Sequence, residues 1–525
     1  MKKLFFLPFY LFILLGVQSQ DPTYEQLWRE IAALEEKGLP KSALEKVEQI
    51  SEMAEKSNDE DQIIKSLLYR SKYTLILEED AQLKVIQDFK NTIAESSAPA
   101  KNVLQGYLAN LYWQYFQQNR YRFYNRTNTS QKVDSTDFRT WDLITLFHEI
   151  DTHFKKSLQN KELLKTVPKG RFEAIIEEAQ GSDSLRPSIY DLLAHNALDF
   201  YTTDENSISK PAYKFQLDDP IYLDIAENFK GLILQTNDST SLQFRALQVY
   251  QELIKYHLDD QNIPALIDAD IQRLLFVNKN SSLSQKDSLL VSTLNKSSEK
   301  YASFPGSALY KYEIARLYFE QGNKYEAKER PEFRWKLKEA KEICESVLEE
   351  FPNSIAAEKC EVLLNNIKRP HLSALSESYV PANTPNKILL VYKNLEDIKY
   401  TIYKATTAQI REFNQIYRED IKKNFIQKLT EYKSGEETLI SEGDFQAHSI
   451  EVVIPELQNG HYILTLQADE KAVFATQTIE ATNFGLVEKE AQDRQIFQVI
   501  NRTNGEPITN AKVDFSYRGN NSNDF

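Results

Sequence analysis

The spacing of apolar residues along this chain changes once, near Arg369-Pro370, and that change dictates more than one fold. From Asp21 to about Lys368, apolar side chains recur three and four positions apart; beyond Arg369 they recur at every second position. A helix returns to one face about every 3.6 residues and a strand every two, so neither stretch can adopt the other's architecture. A chain of 525 residues also exceeds what one hydrophobic core serves. The expected class is α+β and multidomain, with the helices first.

Within the helical stretch, Trp28, Ile31 and Leu34 lie at helical spacing before Gly38 and Pro40 interrupt, and Ala43, Val47, Ile50 and Ala54 then continue on one face. Gly38 fits the left-handed position that closes a helix, and Pro40 suits the first turn of the next. A third run carries Ile63, Leu67 and Tyr73. The clearest unit runs from Ser307 to Ile367. Tyr310, Ile314, Leu317 and Tyr318 form one stripe and Leu337, Ala340, Cys344, Val347 and Leu348 a second. Phe351-Pro352-Asn353-Ser354 makes a turn, with Asn353 or Ser354 as N-cap, before a third helix with Ala357, Cys360, Leu363, Leu364 and Ile367. These hairpins resemble tetratricopeptide repeats without a fixed period, so residues 20–368 read as an irregular, TPR-like α-helical solenoid.

Beyond Arg369, strands are expected at Ile388–Lys393, Ile398–Lys404, Ser449–Ile454, His461–Gln467 and Val473–Ile479, with a helical insert from about Thr407 to Tyr432. Ile398, Tyr400 and Ile402 alternate with Lys399, Thr401 and Tyr403, and Tyr462, Leu464 and Leu466 share one face. Such strands and turns imply an antiparallel β-sandwich over residues 369–484. A last hairpin is expected from Ile496–Asn501 to Ala511–Tyr517, and residues 485–525 then read as the start of a further sandwich whose remainder lies beyond Phe525.

Lys2 and Lys3 followed by the apolar run Leu4 to Val17, with small residues at Val17 and Ser19, read as a signal peptide over residues 1–19, cleaved after Ser19. The run is shorter than the roughly 20 residues that cross a bilayer, and no Cys follows it to carry a lipid. The mature chain is therefore expected outside the cytoplasm, in the periplasm or at the cell surface, with no membrane-spanning segment. A formal charge of −14 argues against nucleic-acid partners.

Several segments resemble the opening of bacterial alpha-2-macroglobulin family proteins of the Bacteroidetes type. They are Lys37-Gly38-Leu39-Pro40-Lys41-Ser42-Ala43-Leu44, Tyr190-Asp191-Leu192-Leu193-Ala194-His195 and Phe351-Pro352-Asn353-Ser354. Val391-Tyr392-Lys393-Asn394 is similar to the entry strand of a macroglobulin domain, and Pro455 to Tyr462 to its P-x-L-x-x-G-x-Y turn. Arg502-Thr503-Asn504-Gly505-Glu506-Pro507, leading to Ala511-Lys512-Val513, resembles the start of the domain called MG2. The resemblance makes the sandwiches macroglobulin-like and the chain the N-terminal fragment of an endopeptidase inhibitor. In such a trap a protease cuts a bait segment and the stacked domains rearrange around it. Its partners would be endopeptidases, engaged through downstream regions, and an envelope protein on the solenoid. Neither Cys344-Glu345-Ser346 nor Cys360-Glu361-Val362 matches the Cys-x-Glu-Gln thioester motif. The rival reading is an exported helical-repeat scaffold that binds an envelope protein.

No phosphate loop, dinucleotide fingerprint or CxxC pair occurs, so no catalytic, metal or cofactor residue is expected and no cofactor is implied. His148 and His153 are five apart, about 140° on a helix, where zinc-binding pairs on one face are four apart. His195, among Leu192, Leu193 and Leu198, reads as a hydrogen-bonded core histidine. Cys344 and Cys360 are equidistant from Pro352, so an antiparallel hairpin sets them level, either as a disulfide or as two packed thiols.

Overall fold

The computed structural model describes residues 22–126, 134–176, 184–207, 213–468, 473–492 and 494–514. The signal peptide and Ser19 lie outside the described residues, as do Phe515 to Phe525. The chain divides into two compact units, one ending at Thr293 and the other starting at Leu294.

The first unit is helical: α1 (Tyr24–Glu36), α2 (Pro40–Ser57), α3 (Glu60–Leu77), α4 (Ala81–Glu95), α5 (Ala100–Tyr124), α6 (Leu143–Ser157), α7 (Lys161–Thr166), α8 (Ile189–Tyr201), α9 (Ala226–Phe229), α10 (Leu242–Asp259) and α11 (Ile263–Asn280), with α12 (Lys286–Lys300) reaching the boundary. Helices adjacent in sequence pack on one another, α1 on α2, α2 on α3 and α5 on α6, while α8 rests on α5 and α10. Gly38 closes α1 at φ 67°, the Leu39 amide donates to Leu34 O, and Pro40 opens α2. Ala43, Val47, Ile50 and Ala54 are all fully buried, as their spacing requires.

Aromatic residues fill the middle of this unit. Trp113, Phe116, Phe147 and Phe200 meet edge-on or stacked, with centroids 4.9 to 5.9 Å apart, the geometry ring quadrupoles favour, and Phe123 meets Phe116 at a tilt. Gly106 lets α5 approach α8: a Cβ there would lie 3.1 Å from Leu193.

The second unit opens with α13 (Ala308–Gly322), α14 (Lys336–Glu350) and α15 (Ile355–Lys368) around a core that includes Ala315, Leu337, Val347 and Leu364. Ser354 caps α15 by accepting from the Ala357 amide at 3.1 Å. The expected boundary after Lys368 falls inside this unit, between α15 and the first strand.

Two sheets follow. One orders β1 (His371–Leu375), β3 (Asn386–Lys393) and β6 (His448–Ile454). The other orders β2 (Tyr379–Val380), β8 (Val473–Ala481), β7 (Gly460–Ala468), β4 (Asp397–Ala405) and β5 (Thr430–Thr438). Ile388, Leu390 and Val452 of the first and Ile398, Tyr400, Ile402, Tyr462, Leu464 and Leu466 of the second share one apolar cluster. Each such side chain, removed from water, contributes about 1.5–3 kcal/mol before entropy is charged against it. β7 is buried on both faces. Its opposite face offers Ile463 to Phe413 and Ile426 of α16 (Thr407–Phe413) and α17 (Glu419–Ile426).

Two expectations need correction. The helical insert ends at Ile426, and Thr430–Thr438 is strand. That strand lies at the sheet edge, where only Tyr432 packs against the shared core, and a polar edge strand shows no apolar alternation. The last hairpin pairs β10 (Arg494–Asn501) with β9 (Phe484–Ala491) that precedes it. Ala511 to Asp514 form no strand.

Candidate functional site

A buried polar cluster of the second unit gathers on the loop between β5 and β6. Leu439 anchors its start in the shared core, while Gly443 at φ 72° and Phe445 at φ 60° bend it sharply. The bend carries Asp444 inward until its side chain is 1% exposed. There the carboxylate accepts from the Gln446 amide at 3.0 Å, His448 Nε2 at 2.8 Å and Arg334 Nε at 3.0 Å. Burial alone would raise its pKa, but these donors outweigh burial and hold it below the usual carboxylate range.

Arg334, just before α14, also pairs with Glu442. Gln446 Nε2 donates to Gly322 O at 3.1 Å and Arg334 O at 3.2 Å, satisfying carbonyls at the end of α13 and the start of α14. Phe445 packs on the three-helix core, and Asn394 Nδ2 donates to Ile367 O at 2.8 Å and Arg369 O at 3.2 Å. The ends of α13 and α15 and the start of α14 are therefore all held by the two-sheet region. Asn394, the last residue of the segment Val391-Tyr392-Lys393-Asn394, makes these last two bonds. The loop's part was hidden in the sequence, since Glu442 to His448 carries no periodic signal.

The turn at Pro455 to Tyr462 is built around its terminal ring. Tyr462 is buried and its hydroxyl donates to Gln458 O at 2.9 Å. Leu457 is buried and its carbonyl accepts from the Asn383 amide at 2.7 Å. Gly460 sits at φ 151°, a region that disfavours a side chain.

The histidines singled out in the sequence lie in separate settings. His148 is exposed, whereas His153 is buried, its Nδ1 lying 2.6 Å from Gln105 Oε1; the two rings do not converge. His195 is buried with Nε2 3.8 Å from Asp268 Oδ2, and burial, aided by Arg186, pushes its pKa down to about 4. A buried chain not foreseen from the sequence links Ser188, Asp191 and His257. Asp191 closes a capping box with Ser188 and accepts from His257 Nε2 at 2.7 Å. The Ser-x-x-Asp spacing at 188 and 191 was the available signal. Here the serine meets the carboxylate rather than the imidazole, so the order differs from a nucleophile activated by its base.

Cys344 and Cys360 are buried, as free thiols, on facing sides of α14 and α15. An open depression of about 750 Å³ is lined by Arg122, Arg126 and Arg139 with Asp80 and Asp137. Arg139 pairs with both of these carboxylates.

No family model matches the chain, and no curated protein matches it. Among solved structures it is similar to native alpha-2-macroglobulin from Escherichia coli spanning domains MG0-NIE-MG1. That match has 13% identity and a TM-score of 0.22, and covers 27% of this chain and 48% of that one. A structure of the same protein spanning NIE-MG1 matches at 11% identity with a TM-score of 0.21, over 27% of this chain and 74% of that one. The chain thus spans about half the length of the longer of these structures.

Proposed function

We propose that this chain is the exported, non-catalytic N-terminal part of an alpha-2-macroglobulin-like endopeptidase inhibitor. In this reading the helices form a TPR-like solenoid, the two sheets a macroglobulin-like β-sandwich, and the β9–β10 hairpin opens the next. The observation that carries the reading is the Pro455–Tyr462 turn, whose Leu457, Gly460 and Tyr462 each have a packing or backbone role at the positions of the P-x-L-x-x-G-x-Y motif. The buried acids and histidines described above are engaged in structural pairs, which suits a framework.

The test incubates the whole protein with an endopeptidase. Cleavage at one site, followed by a protease that still cuts small peptides but no longer cuts folded proteins, is the expected result. Degradation of the protein to peptides with the protease fully active on protein substrates would overturn it.

One observation favours the scaffold alternative. Leu75, Ile76 and Leu77 at the end of α3 are 45%, 60% and 42% exposed, and Leu75 borders a cleft lined by Val85, Ile86, Leu111 and Phe138. Such an edge suits an envelope protein partner. Binding to envelope proteins that is lost in Ile76→Asp, with no effect on any protease, would favour that alternative.

A further inference from the structure

Cys344 and Cys360 are the chain's two cysteines, each eight residues from Pro352. That turn joins α14 to α15, and each cysteine lies on the helix face that meets the other. Both are 0% exposed and belong to one apolar cluster, the core of the α13–α15 bundle. We infer that Cys344 and Cys360 form a disulfide that staples α14 to α15.

Other uses of the pair fit less well. A structural metal site takes four ligands as a rule, and no group of three or more His, Cys, Asp or Glu gathers among the described residues. A reactive thiol needs a lowered pKa and access. Neither thiol has the access, since both are fully buried; interaction with Cys360 and burial push the Cys344 thiol up, while interaction with Cys344 lowers that of Cys360.

The staple closes by thiol–disulfide exchange with an external disulfide, a small molecule or an oxidoreductase. One cysteine thiolate attacks a sulfur of that reagent and expels the reagent's thiolate. The second cysteine's thiolate then attacks the mixed disulfide and expels the other. Two protein S–H bonds and one external S–S bond become one protein S–S bond and two external S–H bonds; the protein gives up two electrons and two protons. Because both sulfurs are buried, closure belongs to folding or to a local opening of the hairpin. The inference rests on the proposed export only for the source of oxidant, and its test supplies the oxidant directly.

Purified protein is equilibrated in a mixed reduced and oxidised glutathione buffer, acid-quenched, unfolded and alkylated with iodoacetamide without reductant. The expected intact mass shows no alkyl group and is lower than the dithiol by two hydrogen atoms. Prior reduction should yield two alkyl groups and lower the thermal unfolding midpoint by several degrees; Cys344→Ala should show no reductant-dependent shift. Two alkyl groups without reduction, or glutathione held on separate cysteines, would overturn the staple. Cell fractionation tests the export reading separately. Ring closure in the buffer by a protein found in the cytoplasm refutes export alone, whereas open thiols in the buffer refute the staple whatever the compartment.

Discussion

At the scale of single residues, the first unit is set by charges taken out of water in pairs. Arg273 and Asp270 are both 0% exposed, and the guanidinium also donates to Tyr222 O and Asp224 O at 2.7 Å while lying over the Phe229 ring. Arg273→Ala takes the guanidinium away from buried Asp270 and from the two carbonyls, and should cost about 3–5 kcal/mol in urea unfolding. Removing Asp270 as well should recover part of that loss. His195 gives a pH signature. Its folded pKa of about 4 lies below the ordinary value of 6.5, so the unfolded chain takes up the proton first. The neutral imidazole's contribution is complete above pH 6.5 and is lost as pH falls toward 4, to the extent of about 3 kcal/mol. His195→Leu should flatten that part of the stability profile relative to the parent protein.

At the scale of elements, close approaches set the tolerances. A Cβ on Gly322 would come within 2.7 Å of Leu337, so Gly322→Ala should part α13 from α14 and lower the free energy of unfolding, measured in denaturant, by about 1–3 kcal/mol. Tyr462→Phe removes only the bond to Gln458 O and should cost about 1 kcal/mol, read the same way. The elements most legible in the sequence were those with one wet and one dry face. The Ala43 to Ala54 stripe, the Ser354 cap and the Ile398, Tyr400, Ile402 alternation all stand where spacing placed them. Thr430–Thr438 escaped notice because an edge strand touches the core at a single side chain. The β9–β10 pairing was missed because Glu488, Lys489 and Glu490 gave β9 a polar, loop-like composition. The contact of Asp444 with Arg334 was not legible at all, since it joins residues 110 positions apart.

At the scale of the whole molecule, the two units should answer acid differently. His195, beside Asp268, belongs to the first, and so do Trp28, Trp113 and Trp141, against Trp335 alone in the second. Tryptophan fluorescence should therefore report a loss of urea resistance between pH 6.5 and 4 ahead of any change in the strand signal. In the second unit the Asp444 carboxylate, held below its ordinary 3.8, contributes above that value and is lost as pH falls beneath it. Asp444→Asn should remove that later acid step.

The three helices before the sheets are gripped at one end, by Asn394 on one side and by Asp444 with Gln446 on the other. Two clasps set apart at the foot of a mast resist leaning in a way that a single joint cannot. A sideways load on the Phe351–Ser354 tip would thus reach the strands as torque and leave the backbone at Arg369 unbent.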